Sequence, residues 1–135
     1  MVGHYTSEAP VHLINHASLM SLKEAILSKK SDGPDKDEFQ LDARQFRPNI
    51  VIETDKEGAF TEDNFLEMRI GPLLLRTTGP CLRCAFTYVN VSTGKTNGDR
   101  EPYTTLSQMR QVPGLGVAFG TYIFTDILTS DELYR

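Results

Sequence analysis

The amino-acid sequence predicts a mainly β, barrel-like domain with a few short peripheral helices. Five or six short runs rich in β-branched and aromatic residues are set apart by turns bearing Gly, Pro and Asn, the pattern of strands joined by loops. Strands and helices do not alternate strictly, and neither G-x-G-x-x-G nor a P-loop occurs, which excludes a doubly wound nucleotide-binding sheet. No repeat runs through the chain, so solenoids and propellers are excluded as well.

The first ten residues are polar and read as loosely held. Residues 11–15 (Val-His-Leu-Ile-Asn) are the first strand candidate. Residues 17–28 follow as a helix, because Leu19, Leu22 and Ile26 recur at helical spacing and give one buried stripe. Asn15 or Ser18 is placed to cap its start, and Lys29 and Lys30 suit the negative end of its dipole. A serine hydroxyl at a helix N-terminus also suits an anion. The charged stretch 31–38 contains a Gly-Pro and no periodicity, so it reads as a solvated loop. Residues 50–54 form a strand. Arg47 stands just before Pro48, which favours extended backbone and an aimed side chain.

Thr61-Glu62-Asp63-Asn64 is the acidic first turn of a short helix, with Phe65, Leu66 and Met68 available to the core. Ile70 and residues 73–77 are strand material on either side of a Gly71-Pro72 turn, and residues 85–91 read as a further strand. A polar loop over 92–100 follows. Thr105-x-x-Gln108 is a capping-box pattern opening a short helix that carries Leu106 and Met109, and Pro113-Gly114-Leu115-Gly116 ends it. Residues 117–128 make the longest strand, apolar on both faces, with Gly120 marking a bulge or a close approach. Residues 129–132 look like a last helix start.

At 135 residues the chain suits a single domain that buries roughly two-thirds of its unfolded surface. It carries 14 basic and 18 acidic residues, a net charge of −4, so no basic field holds nucleic acid. No apolar run approaches the ~18 residues of a membrane span. Two cysteines in a C-x-x-C are not a secreted disulfide scaffold and suit an intracellular, reducing compartment.

The chemistry gathers at Gly79-Pro80-Cys81-Leu82-Arg83-Cys84. A guanidinium beside a thiol favours the thiolate, which is both nucleophile and metal ligand. A zinc site would recruit His12 and His16, although their order is the reverse of a finger and they straddle a strand-to-helix boundary. Thioredoxin-type exchange wants the dithiol at a helix N-terminus, whereas a strand is expected here. Two ordinary buried cysteines would be the favoured reading if Arg83 did not stand beside them. The remaining one is a soft thiolate on a thiophilic centre beside an anion pocket, with Arg47, Arg83 and Ser18 suited to a phosphate-bearing cofactor.

Phe46-Arg47-Pro48-Asn49-Ile50-Val51, Glu62-Asp63, Arg69-Ile70-Gly71, Cys81-Leu82-Arg83-Cys84, Gly94, Glu101-Pro102, Thr105-Leu106, Arg110 and Phe119-Gly120 occur in this order. The series resembles the MOSC domain, named for the C-terminus of molybdenum cofactor sulfurase, over residues 11–124. Leu13-Ile14-Asn15-His16-Ala17-Ser18-Leu19 is similar to that family's opening segment. The resemblance implies a MOSC-type β-barrel that holds the pyranopterin molybdenum cofactor or carries sulfur for it.

Residues 86–89 look closer to the amidoxime-reducing branch than to the sulfurases. In that branch the cysteine matching Cys84 ligates molybdenum. The residues matching Ser18, Arg47, Asn49 and Arg83 hold the cofactor, and Tyr122 falls at a family position near it. The implied activity is reduction of N-hydroxylated substrates, with cytochrome b5 and its reductase as electron donors. The alternative the resemblance implies is a sulfur-carrier or cofactor-presenting module, with a persulfide on Cys84 or Cys81 and a cysteine desulfurase as partner. The family's reductases carry a further N-terminal β domain that completes the site, and competence as an enzyme is expected to need it. The family's closing strand, built around a Gly-Asp pair, is not matched by residues 129–135. A cytoplasmic or mitochondria-associated location follows from the same relatives.

Overall fold

A computed structural model describes residues 11–127, with side chains to residue 124. The expectations for residues 1–10 and 128–135, including the last helix start and the closing strand, lie outside the described residues. The core of the fold is a curled mixed sheet in the order β2-β1-β6-β4-β3, with β5 pairing β6 off that path. The strands are β1 (Val11–Asn15), β2 (Ile50–Ile52), β3 (Glu67–Ile70), β4 (Leu73–Leu82), β5 (Gln111–Val112) and β6 (Gly116–Ile127). Helices are α1 (His16–Lys29), the single turn α2 (Pro34–Asp37) and α3 (Tyr103–Met109), with four 3-10 turns between them. The domain is mainly β, as the alternating runs predict.

The parallel pair is β1 with β2, and α1 lies in the crossover between them. Asn15 caps α1, its Oδ1 accepting from the backbone N–H of Ala17 at 3.0 Å. Leu19, Leu22 and Ile26 are the buried stripe of α1, and they meet Ile14, Phe46, Leu106 and Phe119 in the main core. Phe46 and Phe119 stack with ring centroids 4.3 Å apart. A smaller cluster of Leu13, Leu75 and Ile123 fills the other face of the sheet. β6 thus gives Val117 and Phe119 to one cluster and Ile123 to the other, while Phe124, on the alternate face, stays 47% exposed.

Four local expectations change. Residues 85–91 do not continue as a strand: β4 ends at Leu82 and a 3-10 turn runs Ala85–Tyr88. Val89 makes only an isolated bridge to Thr96. The helix expected to open at Thr105 starts at Tyr103, and its first turn is held by the Glu101 carboxylate. Arg47 is not extended but left-handed, φ 54, where it ends the 3-10 turn Ala43–Phe46. Leu66 is 85% exposed and takes no part in the core.

Candidate functional site

A cleft of about 590 Å³ opens where the start of β1, the turn Ala43–Phe46, the end of β4 and the middle of β6 meet. The sheet register explains the meeting: His12 pairs with Tyr122, and Gly79 pairs with Tyr122 on the other side of β6. Two hydrogen bonds fasten Asn49 to β1: its Oδ1 accepts from the His12 N–H and its own N–H donates to the His12 carbonyl, both at 2.8 Å. Gln45 Nε2 donates to the Thr87 carbonyl at 3.0 Å and fixes one 3-10 turn against the other. The cleft is thus a product of long-range pairing.

Of the residues singled out in the sequence, the cleft gathers Arg47, Asn49, Cys81, Arg83, Cys84 and Tyr122. Ser18 stands apart. It is fully buried under the 3-10 turns, its hydroxyl donates to Glu62 Oε1 at 2.6 Å and accepts from the Phe60 N–H at 2.7 Å, and it does not line the cleft. His12 is a lining residue that the sequence had offered only as a zinc ligand. Among the described residues, no three His, Cys, Asp or Glu side chains gather where a metal ion would need them.

The two thiols differ sharply. Cys84 is exposed at the mouth of the cleft, and its carbonyl receives the N–H and the hydroxyl of Thr87. Cys81 is 2% exposed. The guanidinium expected beside Cys84 serves Cys81 instead, with Arg83 Nη1 donating to Cys81 Sγ at 3.1 Å. The reason is extended backbone: residues two apart share a face, while neighbours along the chain point to opposite ones. Burial pushes the Cys81 thiol up, but hydrogen bonds from His12 and Tyr122 and the charges of His12 and Arg83 outweigh it, lowering it from 9.0 to about 7.

The electrostatics of the lining are one-sided. Arg44, Arg47 and Arg83 all border the cleft, and among the described residues no aspartate or glutamate does. Asp42 neutralises Arg44 through a 2.6 Å ion pair. Arg47 is exposed and has no ion pair among the described residues. Arg83 packs its guanidinium over the Phe46 ring at 5.7 Å, and its buried Nε has no hydrogen-bond partner among the described residues. A buried N–H left unpaired is costly, so the geometry leaves a place for an acceptor.

The family model described as MOSC domain matches residues 2–133. The chain belongs to the MOSC family. It is 30% identical over 129 residues to the molybdenum cofactor sulfurase of Oryza sativa subsp. japonica, covering 95% of this chain and 15% of that protein. It is 40% identical over 106 residues to mitochondrial amidoxime-reducing component 1 of Danio rerio, covering 78% of this chain and 28% of the relative. Mitochondrial amidoxime reducing component 2 of Rattus norvegicus is 29% identical over 142 residues, which is 97% of this chain and 38% of the relative. This MOSC domain therefore spans well under half of the curated relatives it matches. No helix among the described residues is long and apolar enough to cross a membrane.

Proposed function

We propose that this MOSC domain binds the molybdenum cofactor in the arginine-lined cleft, with Cys84 as the protein's ligand to molybdenum. The observation that carries the reading is the one-sided lining: three arginines and, among the described residues, no carboxylate, in a chain whose net charge is −4. Guanidinium forks match phosphate oxygens in pairs, and the unpartnered Arg83 Nε is a donor in want of an acceptor. Arg47 and Arg83 take the anionic part of the cofactor, Asn49 and Tyr122 border it, and the exposed sulfur of Cys84 is the soft donor at the mouth. These residues fit the group without Ser18, whose hydroxyl is already engaged at both lone pair and proton.

The chemistry the bound cofactor supplies is two-electron reduction of an N-hydroxylated substrate. The protein's share is ligation, orientation and an electrostatic field. Phe86, 80% exposed beside the cleft, and the open mouth around it leave room for a substrate and for a covering domain of the kind longer relatives have space to include. Electrons are supplied in this reading by cytochrome b5 and its reductase.

The test is metal and pterin analysis of the full chain made in a host that synthesises the cofactor. The wild type is expected to carry molybdopterin and molybdenum, and Cys84→Ala to lose the metal while keeping its fold. A Cys84→Ala chain with undiminished molybdenum and an unchanged absorption spectrum overturns the assignment of the ligand. A wild-type chain free of the pterin overturns the reading as a whole.

A further inference from the structure

Gln45 belongs to none of the motifs read from the sequence, yet it is 8% exposed and uses both ends of its amide. Oε1 accepts from the Asp42 N–H at 2.8 Å and completes the capping box of the turn Ala43–Phe46. Nε2 crosses to the other turn and donates to the Thr87 carbonyl at 3.0 Å. One partner can only donate and the other only accept, so the amide has a single orientation. What the link joins matters for the cleft. Arg47 follows the first turn as its C-terminal cap, and Cys84 is the N-terminal cap of the second. Thr87 in turn bonds the Cys84 carbonyl through its N–H and its hydroxyl, at 3.3 and 3.2 Å. Hydrogen bonds therefore connect the turn that presents Arg47 to the turn that presents Cys84.

The backbone at Arg47 shows that its placement is imposed from outside. A φ of 54 is left-handed, a region unfavourable for a residue with a Cβ, and Pro48 favours extended backbone before it. Such a conformation persists where the surroundings over-determine it. Here they act from both sides: Gln45 is fixed two residues before, and Asn49, two residues after, is held by both of its bonds to His12. An apolar side chain of the same shape would fill the space of Gln45 at little cost, but it would set no direction.

We propose that Gln45 is the positioning residue of the cleft. It holds the Arg47 turn and the Cys84 turn at the spacing required by one ligand that is anionic at one end and thiophilic at the other. The inference rests on the binding reading and adds the side chain that sets its geometry. A rigid ligand that meets both ends gains its second contact intramolecularly, and loses that gain when the spacing is wrong. A probe that meets one end alone is indifferent to the spacing.

The experiment compares the wild-type full chain with Gln45→Met, which keeps the length of the side chain and removes both polar ends. Each is made in a host that synthesises the cofactor, and the molybdopterin and molybdenum retained after dialysis are measured. Cofactor-free samples of the same chains are titrated with pyrophosphate, which reads the arginine end. They are also alkylated with iodoacetamide, peptide mapping giving the rate at Cys84. In the variant, retention is expected to fall more than about tenfold, while pyrophosphate affinity and the Cys84 rate stay within about twofold. Full retention in the folded variant overturns the role of Gln45 and leaves the binding reading intact. Parallel losses of retention, pyrophosphate affinity and thermal midpoint mark a merely structural residue and overturn it as well. A wild type free of the pterin removes the binding reading, and this proposal with it. Gln45→Ala, which cannot clash, takes the place of Gln45→Met should that chain not fold, and failure of both to fold assigns the residue to the fold alone.

Discussion

His12 reaches Cys81 because position 120 has no side chain. Gly120 is left-handed, φ +79, and a Cβ built there would fall on His12 Nε2 and within 2.7 Å of the Leu13 carbonyl oxygen. The backbone atom cannot swing aside as a flexible side chain does. Gly120→Ala is therefore expected to cost at least about 2 kcal/mol, from left-handed strain and displacement of β1. A fall in the urea midpoint checks it. A glycine in the middle of a long apolar strand announces a close approach in the sequence itself. What approaches was not legible, because it depends on the pairing of His12 with Tyr122 across more than a hundred residues. The pairing of Arg83 with Cys81, by contrast, was within reach of the sequence. Residues two apart in an extended segment share a face, and adjacency in the chain was the wrong guide.

At the scale of elements, periodicity located β1, α1 and β6, and Gly71-Pro72 marked the turn between β3 and β4. The helix expected to open at Thr61 is only a 3-10 turn to Asn64, with Met68 in β3, and composition alone misled at residues 85–91. Those residues are β-branched and aromatic, but the chain leaves β4 at Leu82 and closes into the 3-10 turn Ala85–Tyr88, where the Thr87 N–H and hydroxyl bond the Cys84 carbonyl instead of a neighbouring strand. The start of α3 shows a similar limit. Thr105 and Gln108 are spaced as a capping box, yet the first turn is secured from outside by Glu101. That carboxylate is 6% exposed and accepts from the Thr105 N–H at 3.0 Å and the Thr105 hydroxyl at 2.8 Å. Lys29 approaches the same group at 3.8 Å from the end of α1, so Glu101 ties two helices together. Glu101→Ala is expected to destabilise the domain by about 1–3 kcal/mol, since it leaves a buried N–H and a hydroxyl unpaired. Hydrogen exchange should show the loss first in the amides of α3.

For the whole molecule, the main electrostatic fact is a contrast of sign: an acidic chain holding an arginine-lined cleft. The net charge repels anions at long range, so binding in the cleft rests on short contacts and is expected to weaken less with salt than a basic surface would. Arg47→Gln is expected to leave stability within about 0.5 kcal/mol, because an exposed side chain without an ion pair among the described residues supports little of the fold. Titration with pyrophosphate is expected to show a severalfold weaker affinity in that variant, whereas thermal unfolding should superimpose on the wild type.

The sheet order carries one more consequence. β6 is the last in sequence of the described strands, yet it lies between β1 and β4. While the polypeptide is still emerging from the ribosome, its first and fourth strands have no common neighbour, and neither Cys81 nor His12 has its enclosure. Only after residues 116–127 are released can they slide between edges that have waited open since early in synthesis. Loading of any guest molecule is thus deferred until β6 has been made, and a chain stalled before it presents two adhesive strand margins that a chaperone would have to shield.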